Sequence, residues 1–151
     1  GVFPGGRVYY CEHGTPELVW RPEWQSHANG VTSMPEFVTV ASDADGEGAQ
    51  FATLLDTDVE MDGNGVRCVT LDGCQVTVLT PDQYSDRYGK LASTMGSRNA
   101  IFGAMVFATE GLSMLHDLLD DLDGVVIDRH PGRTIVRVDA FDAVLEFVGI
   151  G

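Results

Sequence analysis

Few side chains here have both the type and the spacing for chemistry. Cys11 and His13 stand two residues apart, so on an extended strand they share a face, where an imidazole could take a thiol proton. Trp20, Arg21, Trp24 and Gln25 form a second group. Two indoles near a guanidinium can make an aromatic wall with a charged anchor, or can simply pin a connector to a core. The four histidines, His13, His27, His116 and His130, show no HxH, HExxH or i, i+4 spacing. His116 is expected on the solvent side of a helix and His130 in a turn. Cys11, Cys68 and Cys74 lack a CxxC spacing and cannot all pair within the chain, which fits reduced thiols in a cytoplasmic protein. The glycine-rich stretch Asp43 to Gly48 has no lysine after it, and no nucleophile elbow or Ser-His-Asp pattern is present.

Charge narrows the partners. With 23 acidic against 9 basic residues the chain carries a net −14, which opposes phosphate backbones and anionic lipid, so neither nucleic acid nor a membrane is expected as a partner. A hydrophobic content of 44% suits a globular core, and no apolar run approaches the roughly 20 residues of a membrane span.

The elements that must position these residues are nearly duplicated. Pro35 to Asp43 reads as a strand ending in an acidic residue, and Phe102 to Glu110 reads the same way about sixty-seven residues later. Each is followed by a helical pattern, Phe51, Leu54, Leu55, Asp56 in the first copy and Leu115, Leu118, Leu119, Asp120 in the second. Each copy closes on a strand candidate, Cys74 to Leu79 and Ala143 to Val148. Middle strands are expected at Val59 to Met61 and Val66 to Leu71 around the hairpin turn Asp62-Gly63-Asn64-Gly65, and at Val125 to Asp128 and Thr134 to Val138 around His130-Pro131-Gly132. Gln83 to Asn99 reads as a polar connector. Neither copy is long enough to bury a core alone, so one domain of two modules is expected.

Residues 1–31 stand outside both copies and read as a leading strand, Arg7 to His13, then an extended Pro16 to Trp20 and a polar linker. A strand without its own module needs an edge to pair with, in this chain or in a second copy, which favours a homodimer. Deleting residues 1–24 is then expected to lower stability.

Paired βαβββ modules with an acidic end to the first strand, a short amphipathic helix and a carboxylate on the last strand resemble the vicinal oxygen chelate superfamily of glyoxalase I, bleomycin-resistance proteins and extradiol dioxygenases. Thr15 to Gln25 with His27-Ala28-Asn29-Gly30 resembles the linker before the C-terminal modules of glyoxalase-like domain proteins. The resemblance implies an α+β fold in which two modules, about 32–82 and 100–150, form a cup-shaped mixed sheet with helices outside. It also implies that this chain corresponds to a C-terminal part, for which a missing N-terminal half is an alternative partner to a second copy.

In that superfamily a divalent metal lies in the cup, held from the first and last strands. Those positions fall on Glu36 and Gly103, and on Thr77 and Glu146. Glu36 and Glu146 can coordinate a cation, with His13 as a further candidate ligand, whereas Gly103 has no side chain and Thr77 is a poor neutral ligand. The implied ligand pocket holds Thr77 and Gly103, with Trp20, Arg21 and Trp24 as candidates from the linker. Two functions follow: a small-molecule-binding module that uses the cup without metal, or a metal-dependent lyase, isomerase or dioxygenase acting on vicinal oxygens.

Overall fold

The computed structural model describes residues 3, 5–9, 11–71 and 73–150. Its two βαβββ modules join in one mixed sheet. Module one comprises β1 (Val31–Ala41), α2 (Ala44–Leu55), β2 (Glu60–Met61), β3 (Arg67–Leu71) and β4 (Cys74–Leu79). Module two comprises β5 (Ala100–Thr109), α4 (Leu112–Asp120), β6 (Val125–His130), β7 (Arg133–Val138) and β8 (Ala143–Gly149). The strand order is β2-β3-β4-β1-β5-β8-β7-β6, so the two first strands meet antiparallel at the centre and each pairs in parallel with the last strand of its own module.

Strand alternation sorts the sheet into two faces. Phe37 packs toward α2 with Phe51 and Ala52, and Phe107 and Phe147 pack toward α4 with Leu115 and Leu119. The opposite face carries Val38, Val40, Val106, Ile135 and Val144. Capping chemistry starts α2, where the Asp43 side chain accepts from the Gly46 amide at 3.0 Å, whereas α4 follows Gly111 without a side-chain cap. In the expected hairpin turn, Asp62 Oδ1 accepts from the amides of Asn64 and Val66, each at 2.8 Å.

The segment between the modules departs most from the sequence reading. It is not a polar connector but holds a helix, α3 (Pro81–Tyr88), followed by a 3₁₀ turn at Gly89–Leu91. A capping box starts it: the Thr80 hydroxyl accepts from the Gln83 amide at 3.3 Å and the Gln83 side chain accepts from the Thr80 amide at 2.9 Å, with Pro81 in the first turn. Tyr84, Tyr88 and Leu91, spaced i, i+4, i+7, then bury in the cup against Val38, Val40 and Ile135.

The leading strand also needs correction. The described residues of 7–13 form no strand, and Tyr10 lies outside the described residues. Arg7, Val8 and Tyr9 line a groove on the helix-bearing face with Phe37, Phe51 and Phe102. They lie over β1 and β5, central strands whose backbone is already paired on both sides, so no edge is open to them. Pro16–Val19 is a short helix, α1, rather than an extended continuation, with proline at its start. His116 is half-buried instead of solvent-facing, its Nε2 lying 2.7 Å from Thr134 Oγ1.

One carboxylate is poorly placed. Glu47, in the first turn of α2, is buried, and its Oε1 has no hydrogen-bond partner among the described residues. Burial, with a smaller contribution from Asp43, pushes its carboxyl above the usual value. A raised folded-state pKa means that any favourable contribution from the protonated side chain is full below the unfolded value and lost as pH rises through the folded one. Glu47→Gln is therefore expected to raise the melting temperature at about pH 8, by a few degrees for about 1 kcal/mol, and to change it little at about pH 4. Thermal unfolding at the two pH values checks this.

Candidate functional site

The concave face gathers its polar groups in one row. Glu36 of β1 is paired in register with Val106 of β5, and Val106 with Glu146 of β8, so the two acids flank one apolar residue across the module boundary. Arg87 comes down from α3 onto this row. Its Nη1 donates to Glu36 Oε1 at 2.7 Å, and its Nη2 donates to Glu36 Oε2 at 2.8 Å and to Glu146 Oε2 at 2.9 Å. The Tyr88 hydroxyl donates to the same Glu146 oxygen at 2.9 Å, and Arg133 Nη1 stands 3.4 Å from Glu146 Oε1.

Electrostatics follow from this geometry. Burial alone would push the Glu36 carboxyl up, but hydrogen bonding and charge from Arg87, helped by Thr77, hold it below the ordinary value. Burial likewise works against the Arg87 charge, and Glu36 and Glu146 overcome it, so the guanidinium stays protonated. Burial pushes the Tyr88 phenol well above its usual range, and the neighbouring Glu146 and Glu36 charges add to this. Tyr88 is thus a fixed hydrogen-bond donor.

On the module-two side the connector is tied down onto the sheet and the loop before β8. Arg133 Nη2 donates to the Arg87 carbonyl and Arg137 Nη1 to the Ala92 carbonyl, each at 3.1 Å, while the Ser93 hydroxyl donates to the Asp142 carbonyl at 2.6 Å. The module-one half remains open as a cavity of about 520 Å³ beside Arg87, with Glu36, Gln75, Thr77 and Gln83 as polar lining, Val66, Cys68 and Leu79 as apolar lining, and Asp62, Asn64 and Asp86 around them. Burial, then the charges of Asp62, Glu36 and Glu60, push the Cys68 thiol up, which disfavours a thiolate nucleophile there.

The expected site residues therefore separate. Glu36, Thr77 and Glu146 share the cup, Glu36 and Glu146 joined by Arg87 and Thr77 on the cavity wall. Gly103 serves packing: a Cβ there would lie 2.8 Å from Val40 Cγ2 and 3.0 Å from Tyr84 Cε2, and the Tyr84 hydroxyl donates to its carbonyl at 2.8 Å. Trp20 and Trp24 are exposed and line a different groove with His27, Met34 and Phe107; Phe107 faces α4, so this groove lies on the other side of the sheet. Arg21 stacks over Trp24 at 4.7 Å. His13 sits edge-on to Trp20, with ring centroids 6.3 Å apart, and has no place in the Glu36–Glu146 row. The residues missed by sequence reasoning are Arg87 and Tyr88, and their signal was the capping box with the tyrosine spacing behind it.

No family model and no curated protein matches this sequence. Solved structures do. Methylmalonyl-CoA epimerase from Mycobacterium tuberculosis superposes with a TM-score of 0.55 at 17% identity, over 83% of this chain and 93% of that one. The fold is of the vicinal oxygen chelate type. A variant of the Streptomyces coelicolor methylmalonyl-CoA epimerase, in complex with 2-nitronate-propionyl-CoA, superposes with a TM-score of 0.50 at 18% identity over 79% of this chain and 97% of that one. A hypothetical protein from Bacillus halodurans gives 0.50 at 10% identity, over 79% and 94%.

Proteins of this fold often use a divalent metal, and the residues here do not fit one. Glu36 and Glu146 already accept from Arg87, the Thr77 hydroxyl accepts from Gln75 Nε2 at 2.9 Å, and Gly103 offers no side chain. Among the described residues no three His, Cys, Asp or Glu side chains are grouped to hold a metal ion.

Proposed function

We propose that this chain is a small-molecule-binding module that takes a compact, oxygen-bearing, neutral or cationic ligand in the module-one half of its cup. The observation that carries this reading is the cavity itself: about 520 Å³, within the range of small-molecule sites, lined mostly by hydrogen-bonding side chains beside a short apolar wall of Val66, Cys68 and Leu79. Arg87 commits three of its five N–H donors to Glu36 and Glu146, and the other two have no partner among the described residues and could serve a ligand oxygen. Gln75, Thr77 and Gln83 add uncharged hydrogen-bonding groups.

Ligand charge follows from the rest of the lining. Asp62 and Asp86 border the cavity and the chain carries a net −14, both of which oppose a phosphate-bearing ligand. The CoA analogue bound by the Streptomyces protein is therefore the informative competitor. A metal-dependent lyase, isomerase or dioxygenase would need carboxylates that this cup does not leave free.

The test is a thermal-shift and calorimetric comparison of the full chain with neutral hydroxy-ketones and diols, small amines, and acyl-CoA thioesters. A ligand from the first two sets should stabilise saturably, by about 2.7 kcal/mol at a hundredfold excess over Kd. Gln75→Trp, which puts an indole into the cavity, should abolish that gain in a protein that still folds, melting slightly below wild type for the lost Gln75–Thr77 hydrogen bond. Binding of acyl-CoA alone, or binding undisturbed by Gln75→Trp, would contradict the proposal.

A further inference from the structure

We propose that the Arg87 guanidinium is the resident cation of this cup, standing between Glu36 and Glu146 where related folds place a metal ion, and so making the site metal-independent. Three observations converge on it. The first is position: Arg87 reaches the first-strand acid of one module and the last-strand acid of the other, 51 and 59 residues away in sequence, from a helix that belongs to neither.

The second is charge. Glu36 and Glu146 contribute two negative charges, and Arg87 with Arg133 two positive ones, so the cluster is neutral as it stands. Adding a divalent ion would leave an excess of two positive charges beside a buried glutamate, a cost that scarce solvent does little to relieve. The third is fixation. Arg87 is not a loose surface side chain that a metal could displace cheaply: the Thr80 and Gln83 capping box orders its helix, Tyr84 and Tyr88 bury together and anchor that helix in the core, and its own carbonyl accepts from Arg133. Swinging the guanidinium out would break three charge-assisted hydrogen bonds at once.

The consequence concerns both acids. Glu36 and Glu146 act as arms of a clasp that closes module one on module two, rather than as metal ligands.

Titration of the chelator-dialysed full chain with Mn²⁺, Co²⁺ and Zn²⁺, followed by melting temperature and calorimetry, tests the assignment. The wild type should shift by less than about 1 °C, and Glu36→Gln and Glu146→Gln should respond no more than it does. Arg87→Met should melt lower and now rise with added metal, because two facing carboxylates have lost their cation; the added Glu36→Gln change should remove that rise. Arg87→Lys, which keeps the charge but not the fork, should fold, melt lower than wild type and ignore metal. Stoichiometric metal binding by the wild type that weakens at least about tenfold in Glu36→Gln or Glu146→Gln would overturn the proposal, as would an Arg87→Met protein as stable as wild type or indifferent to metal. Should Arg87→Met yield no folded protein, the wild-type titration with its glutamine controls and the Arg87→Lys protein decide between the two outcomes by the same criteria.

Discussion

Arg87→Met is expected to lower the stability of the chain by about 3 kcal/mol, and by up to about 5, because it removes the partner of a buried carboxylate, Glu146, and of the largely covered Glu36. Glu146 has almost no contact with solvent and cannot recover its hydration without opening the cup, whereas Glu36, on the wall of the open cavity, recovers part of its own. At about 2–4 °C per kcal/mol for a chain of this size, the melting temperature should fall by about 6–20 °C. The loss should be non-additive: Arg87→Met with Glu146→Gln should cost less than the sum of the two single changes, since the double variant no longer strands a buried charge. The effect also has a pH signature. Burial pushes Glu36 up, but Arg87 holds it below its ordinary value of 4.5, so the pair's stability is present above that value and fades as pH falls through the lower folded-state pKa. The gap between wild type and Arg87→Met should therefore narrow in acid. Denaturant unfolding at several pH values measures both effects; a loss below about 1 kcal/mol at neutral pH would reduce the cluster to a surface-type ion pair.

Tyr84→Ala should cost a similar amount, about 3–5 kcal/mol, if α3 is part of the core rather than a strap across it. The ring packs with Tyr88, centroids 5.0 Å apart, and against the bare Cα of Gly103. Its hydroxyl donates to the Gly103 carbonyl and accepts from the Ser93 amide at 3.1 Å. Tyr84→Phe keeps the packing and loses only these bonds, so it should cost about 1–2 kcal/mol. Equal losses in the two variants would show that hydrogen bonding dominates, and negligible losses in both would show that the connector is peripheral.

What the sequence made legible is what two periodicities encode. Cys74 to Leu79 alternates polar with apolar side chains over most of its length and is found with its bounds intact, although its last four residues are all buried, and the Asp62 to Gly65 turn announces itself through Asn-Gly. The repeat of these patterns gives the two modules. Helix α3 escapes because Asp82, Gln83, Ser85, Asp86, Arg87 and Lys90 make its segment read as solvated, although Thr80, Gln83 and Gly89 mark both of its ends. The leading strand fails for a different reason. Val8 and Tyr9 suit a strand locally, but a strand needs a free edge, and this segment lies over the paired centre of the sheet. Glu36 and Glu146 could be placed by the repeat, whereas their partner could not, because nothing local links residue 87 to acids more than fifty positions away in either direction.

A guanidinium of the chain, rather than a metal ion, holding the middle of the cup can be seen directly in a crystal of the full chain grown with millimolar Mn²⁺ and measured at the manganese absorption edge. No anomalous peak should then lie between Glu36 and Glu146, and the Arg87 guanidinium should stand within hydrogen-bond distance of both carboxylates. An anomalous peak about 2.0–2.3 Å from both carboxylates, with Arg87 turned out toward solvent, would be incompatible with a resident guanidinium.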